Sequence, residues 1–239
     1  MLQRETPTSP QGRRYRPPGA ERTVPWPAPG AEFPAQLSLT AELTLFAAGE
    51  LEILGCRRVS VIGSRDASEA GLRRAAKLAR TLASAGVVVV AGLARGIDRA
   101  AHEAAIAAGG RTIAVIGTPL DRCYPAEHAS LQEAIYREHL LVSQFPSGAP
   151  VRAANFPKRN RIMAMLSDAS VIVEAGDSSG SLSQAAETQR LGKPVFLMRN
   201  LVENSVLSWP AAFLRKGAIV LDDAQQVLEA LGHGRGAIL

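Results

Sequence analysis

The chain has 239 residues, 46% of them hydrophobic and 21% charged, enough for one large domain with a full core. No apolar run approaches the ~20 residues that cross a bilayer, and the polar, Pro-rich start lacks the apolar centre of a secretory signal. Only two cysteines occur, Cys56 and Cys123, without CxxC spacing or nearby histidine pairs, so no metal site is expected and a reduced, cytoplasmic protein is. The formal net charge of +5 favours an anionic partner but does not identify nucleic acid by itself.

Residues 1–36 are rich in Pro, Gly and Arg without periodicity, and are expected to form a disordered tail ahead of a domain over residues 37–239. Arg4, Arg13, Arg14, Arg16 and Arg22 sit among its prolines. A solvated tail is the plain reading; a basic arm adding non-specific affinity for nucleic acid is the alternative. Residues 37–54 read as a short helical or mixed segment leading into the core.

The remainder alternates strands with helices. Residues 59–62, 87–90, 112–116, 171–173 and 195–197 are short, apolar and β-branched, as strands covered on both faces are. Residues 140–142 and 219–220 are further strand candidates. In residues 68–85, Leu72, Ala75, Ala79 and Leu82 recur at helical spacing, with Ser68 placed to cap the start and Gly86 to stop the end. Such alternation predicts an α/β fold, a Rossmann-like doubly wound and mostly parallel sheet in a single domain.

Polar residues gather at four strand-to-helix junctions, the edge where an open α/β sheet binds ligands. No GxGxxG with a downstream acidic residue follows the first strand and no GxxxxGK[ST] occurs, so neither a nicotinamide cofactor nor P-loop chemistry is expected, and no other cofactor is implied. In Gly63-Ser64-Arg65, the glycine permits a sharp turn, the serine can donate, and the arginine offers a planar fork for phosphate or a stacked base. In Gly92-Leu93-Ala94-Arg95-Gly96-Ile97-Asp98, Gly92 and Gly96 bracket Arg95 and allow close backbone approach, and Asp98 is expected to cap the next helix. Asn155-Phe156-Pro157-Lys158-Arg159-Asn160-Arg161 sets three cations at a helix start, where the macrodipole disfavours them unless an anion is near. Phe156 is either a base-stacking surface or a core residue. Ser178-Ser179-Gly180-Ser181-Leu182 supplies hydroxyls and a glycine at a fourth helix start, a candidate anion cradle.

These segments, with Ala101-His102 and Ala114-Val115-Ile116-Gly117-Thr118, resemble the DprA/Smf family in order and spacing across residues 43–220. The resemblance implies a binding mediator without catalytic turnover. It would hold single-stranded DNA, help load RecA, displace or accommodate single-strand-binding protein, and protect incoming DNA in naturally competent bacteria. A homodimer is implied as well, with the apolar region around Trp209, Phe213, Leu214 and Ile219 as one candidate surface. By motif, Arg65, Arg95, Lys158 and Arg161 match phosphate contacts, and Ser64, Gly180 and Ser181 the lining of the same pocket. Arg159 and Asn160 would brace the helix, and Phe156 would meet a base.

The chain departs from the family pattern in several places. The sterile-alpha-motif-like and winged-helix domains of many members are not expected here. Ser183-Gln184-Ala185-Ala186-Glu187 stands where Ile-Thr-Ala is usual, and Leu197-Met198-Arg199-Asn200 where a Pro-Gly-Asn turn is. The rival reading is a nucleotide enzyme similar to the lysine-decarboxylase-like phosphoribohydrolases, whose Gly-Gly-x-Gly-Thr-x-x-Glu motif aligns with residues 178–184. Gln184 would then hold the glutamate's position, where it cannot act as a base, while Glu187 lies one turn further on. A sensor of a small nucleotide, using the same cradle without chemistry, is a third reading.

Overall fold

The computed structural model describes residues 15–19, 21–26 and 43–232. Nine strands are described: β1 (Arg22–Trp26), β2 (Leu43–Gly49), β3 (Arg58–Gly63), β4 (Val88–Ala91), β5 (Thr112–Ile116), β6 (Leu140–Ser143), β7 (Ala169–Glu174), β8 (Val195–Met198) and β9 (Ile219–Leu221). They form one sheet in the order β1-β2-β6-β5-β4-β3-β7-β8-β9. The seven strands from β3 onward run parallel to one another, and β2 and β1 extend the β6 side antiparallel. All seven strands expected from the sequence are present.

Side chains alternate strictly between two faces. Val59 and Val61 of β3, Val89 of β4 and Val171 of β7 pack under α1 (Glu69–Ser84), α2 (Ile97–Ala107) and α8 (Gln225–Ala230). Ile62, Val88, Val90 and Ile172 face the other way, toward α4 (Asn155–Leu166), α5 (Ser181–Arg190) and α7 (Pro210–Arg215). α3 (Ala129–Glu138) covers β5, β6 and β2 on the α2 side, and α6 (Arg199–Val202) follows β8. Buried on both faces, the central strands must be apolar throughout, as they are. Ser68 caps α1 as expected, accepting from the Gly71 N–H at 3.0 Å.

The far end of α4 is held by Lys193, whose Nζ donates to the carbonyls of Ala164 (3.0 Å), Met165 (2.8 Å) and Ser167 (2.6 Å). A cation there complements both the open carbonyls and the dipole, which fixes the helix that carries the third motif. Burial pulls this ammonium down to about 8.

One expectation changes. Part of the stretch expected to be a disordered tail is built into the fold: β1 pairs with β2 over Arg22–Trp26, and Tyr15 is buried at 7% exposure. Thr23, Val24 and Trp26 form a short β-favouring run that the surrounding prolines obscure, and Pro25 is tolerated because β1 is an edge strand. The basic-arm reading rested partly on Arg4, Arg13 and Arg14, which lie outside the described residues. Residues 43–49, expected to be helical or mixed, are strand, followed by a 3-10 turn over Leu51–Gly55; residues 37–42 lie outside the described residues.

Candidate functional site

The sheet reverses its winding between β3 and β7: the connections from β3 lead out to β6, and those from β7 lead out to β9. Chains that leave two neighbouring strands in opposite directions open a crevice above their C-terminal ends. A crevice of about 480 Å³ lies there, walled by Gly63, Ser64 and Arg65 after β3, by Ser178 to Ser181 after β7, and by Phe156, Arg159 and Asn160 of α4.

The first two glycine turns are seated on one another. The Ser64 N–H donates to the Glu174 carbonyl at 2.7 Å, where the β3–β7 register shifts. A Cβ at Gly63 would stand 2.6 Å from the Ile97 side chain and 2.7 Å from the Glu174 oxygen, so the junction admits only glycine. Gly96 has φ +70°, and a Cβ there would collide with the carbonyls of Ser64 and Arg65. The Ile97 N–H then donates to the Ser64 oxygen at 3.2 Å, which fixes the backbone from which Arg65 projects.

Asp98 does not cap its own helix. It lies within the first turn of α2, whose N-cap is Gly96, and its carboxylate reaches back to accept from the Gly92 N–H (3.0 Å) and the Ala94 N–H (3.3 Å). The two N–H groups flank Leu93, which is fully buried and holds φ +59°. Arg159 completes the floor. Its Nη1 donates to the Gly92 carbonyl and, at 2.9 Å, to the Val115 carbonyl, so it fastens α4 to the ends of β4 and β5. Burial pushes the Asp98 carboxyl above its ordinary range, opposed by Arg159 and the two amides; burial likewise lowers the Arg159 guanidinium, opposed by Asp98.

Over this floor stands an aromatic wall. The Arg65 guanidinium carbon lies 5.8 Å from the centre of the Phe156 ring. Tyr124 packs on the same ring at 5.6 Å, tilted by 56°, and is itself 53% exposed. Gly117 makes room, since a Cβ there would meet the Phe156 ring at 2.8 Å. Phe156 divides the main crevice from a smaller pocket of about 60 Å³ among Arg65, Gly92, Arg95 and Tyr124.

The sequence-derived candidates therefore separate. Gly63, Ser64, Arg65, Phe156, Gly180 and Ser181 line the crevice; Gly92 and Arg95 border the smaller pocket; Gly96 is the packing contact between the turns. Lys158 and Arg161 line neither space. Lys158 is exposed, and Arg161 pairs through Nε with Glu187 at 3.2 Å. Arg190 holds the same carboxylate at 2.7 Å, and together these cations keep Glu187 below its ordinary range. Arg95 donates to the Glu127 carboxylate, which pushes the guanidinium up and the carboxyl down.

The serine turn is less open to anions than its sequence implies. The N–H groups of Ser181, Leu182 and Ser183 are engaged by Ser179 Oγ and by the carbonyls of Ser179 and Gly180. What it offers the crevice are hydroxyls, with Ser179 and Ser181 sharing a hydrogen bond at 2.7 Å. Asn160, expected to brace its helix, reaches across to this turn, donating to the Gly180 carbonyl (3.1 Å) and to Ser183 Oγ (3.3 Å). Tyr124 escapes a motif reading: its only signal is an aromatic beside proline in the polar loop after β5.

The chain is 38% identical to Protein Smf of Escherichia coli over 211 residues, which are 87% of this chain and 56% of that protein. It is 39% identical to the DNA processing protein DprA of Streptococcus pneumoniae over 142 residues, 59% of this chain and 50% of that one. The crystal structure of that pneumococcal protein superposes with a TM-score of 0.72 at 36% identity, covering 78% of this chain and 65% of the other. A Helicobacter pylori DNA processing protein A, solved for its mode of binding single-stranded DNA, gives 0.75 at 26% identity, covering 90% and 97%. The chain spans about half or less of the length of the curated relatives it matches. The sequence profile described as DNA recombination-mediator protein A matches residues 28–232, and the protein belongs to that family.

Proposed function

We propose that the crevice between β3 and β7 binds single-stranded DNA, and that the protein acts as a recombination mediator. One observation carries the reading: Arg65 lies over the Phe156 ring at the mouth of the crevice, with Tyr124 on the same ring. A cation beside aromatic faces is what sequence-tolerant binding of a single strand needs, because every base has a face to stack and a phosphate next to it. Both S. pneumoniae and H. pylori relatives are DNA processing proteins, and the latter binds single-stranded DNA. RecA and single-strand-binding protein are the proposed protein partners, a homodimer the proposed assembly, and the cytoplasm the proposed location. Among the described residues no helix is long and apolar enough to cross a membrane.

The action proposed is binding without turnover. Gln184, at the position of the phosphoribohydrolase glutamate, is buried with its amide donating to Ser170 Oγ at 3.1 Å. Glu187 is held by Arg161 and Arg190 away from the crevice lining, and its lowered pKa makes it a weak base.

The test is fluorescence anisotropy with labelled oligo-dT over a salt series. Binding should weaken steeply with salt, by about 0.7 in log–log slope for each phosphate neutralised. Arg65→Ala and Phe156→Ala should each weaken it. Unchanged affinity in both folded variants would place the strand elsewhere, and release of free base from a nucleoside monophosphate would overturn the non-enzymatic reading.

A further inference from the structure

The aromatic wall has a support that lies far from it in sequence. The Tyr15 hydroxyl donates to the Leu120 carbonyl at 2.8 Å and accepts from Gln132 Nε2 at 2.8 Å. The same Gln132 nitrogen donates to the Arg122 carbonyl at 3.0 Å, and Thr118 Oγ1 reaches that carbonyl at 3.1 Å. The Tyr15 ring packs in a small cluster with Cys123 and Ala129. Residues 120, 122 and 123 are thus all fixed by, or in concert with, Tyr15, and the next residue is Tyr124.

The neighbouring segment grips the site's other side. Glu21 accepts from Ser147 Oγ at 2.6 Å, in the loop that leads into α4 and Phe156. That loop is tied in turn to the first one, the Gly148 N–H donating to Asp121 at 3.2 Å. Further anchors hold the segment in place: the Tyr136 hydroxyl donates to the Arg16 carbonyl at 2.7 Å, the Arg16 N–H to Glu133 at 2.9 Å, and β1 pairs along β2.

We infer that the segment containing Tyr15 and Glu21 is a strap that positions Tyr124 against Phe156, and that Tyr15 is a positioning residue for strand binding. The inference rests on the single-stranded DNA reading of the crevice. Without the strap, the loop after β5 loses the Tyr15 hydrogen bond to Leu120 and the Tyr15 ring beside Cys123, and is left with the bonds from Gln132, Thr118, Ser143 and Gly148. Tyr124 is then held less firmly against Phe156, and stacking on it must order more of the loop at the moment of binding. The strap itself brings no base contact, so its removal alters affinity without altering the number of phosphates neutralised.

The test uses the full chain and two measurements. In hydrogen–deuterium exchange without DNA, Tyr15→Ala should raise exchange in residues 118–124 while the central strands stay protected. In oligo-dT binding it should weaken affinity by about three- to tenfold, within the value of one lost base stack, at an unchanged salt slope. Tyr15→Phe, which keeps the ring and drops both hydrogen bonds, should show a smaller change in the same direction if Tyr15→Ala folds poorly. The decisive arm is Tyr124→Ala, in whose background Tyr15→Ala should cost nothing further. Additive losses, or an unchanged exchange pattern in the loop, would overturn the inference while leaving strand binding intact. Failure of the unaltered chain to bind oligo-dT would overturn both together.

Discussion

The Arg159 guanidinium occupies the space that a side chain at residue 92 would need. A Cβ on Gly92 would collide with that group while Arg159 donates to the Gly92 and Val115 carbonyls. The glycine of the second motif is therefore required by a buried cation under the crevice as well as by any approach of ligand to backbone. Gly92→Ala should displace Arg159 from its carbonyls and leave Asp98 buried without its charge partner, at a cost of about 3 kcal/mol or more. Arg159→Met, which removes the cation directly, should fall in the same range. Denaturant unfolding checks both, and a Gly92→Ala chain as stable as the unaltered one would show that the floor can rearrange.

Arg65 and Arg161 should behave differently although both carry a charge in a family motif. Arg65 sits over the Phe156 ring at the crevice mouth, whereas Arg161 lines neither pocket and is paired with Glu187. Arg65→Ala should reduce the log–log salt slope of oligo-dT binding by about 0.7, one phosphate's worth, and Arg161→Ala by clearly less. Arg65→Lys should keep the slope and still lose affinity, because an ammonium has no planar face to lay along the ring. Equal slopes for the Arg65→Ala and Arg161→Ala variants would contradict the assignment.

The seven parallel strands and the crevice edge were legible because a doubly wound sheet writes itself as short apolar runs ending in glycine turns. Three things were not. The antiparallel edge was missed because β1 hides five residues of strand in a Pro-rich stretch, and its partner β2 is contributed from a separate segment. Arg159 was set apart from Lys158 and Arg161 as a brace, but that neither of the other two lines the crevice was not legible, since positions on one helix point in different directions and only packing decides what each meets. Asp98 fits the composition of a cap, but its acceptors are claimed by the N–H groups of Gly92 and Ala94 in the loop that precedes the helix.

Glu127 competes for Arg95. The carboxylate holds the guanidinium at the border of the smaller pocket, so a phosphate arriving there must displace it. Glu127→Gln should release Arg95 and tighten oligo-dT binding, by at most about fivefold because exposed ion pairs are weak. The gain should disappear in an Arg95→Ala background. A gain that persists there would mean that Glu127 acts by its charge alone, and no gain would mean that Arg95 meets no phosphate.

Stability should fall on mild acidification, and His102 supplies a defined share of the fall. Its ring is fully buried, and Nδ1 lies 2.7 Å from Thr112 Oγ1. That hydroxyl donates to the Val89 carbonyl at 2.7 Å and can accept from Nδ1–H of a neutral ring. Burial first, then His128 and His139, pushes His102 down to about 3, against an ordinary value of about 6.5. The unfolded chain therefore binds more protons than the folded one between those values. The contribution of a neutral His102 is fully present above about pH 6.5 and is lost as pH falls below it, at about 1.4 kcal/mol per pH unit. His128 and His139 are also lowered by burial and add to the same slope. For a chain of this size, His102 alone should shift the melting temperature by about 3–6 °C per unit below pH 6.5. His102→Gln, which can still donate to Thr112 but cannot titrate, should flatten the dependence by that amount while lowering stability at neutral pH. Parallel melting curves for the two proteins across this range would mean that His102 is accommodated when charged, and the burial argument would fail.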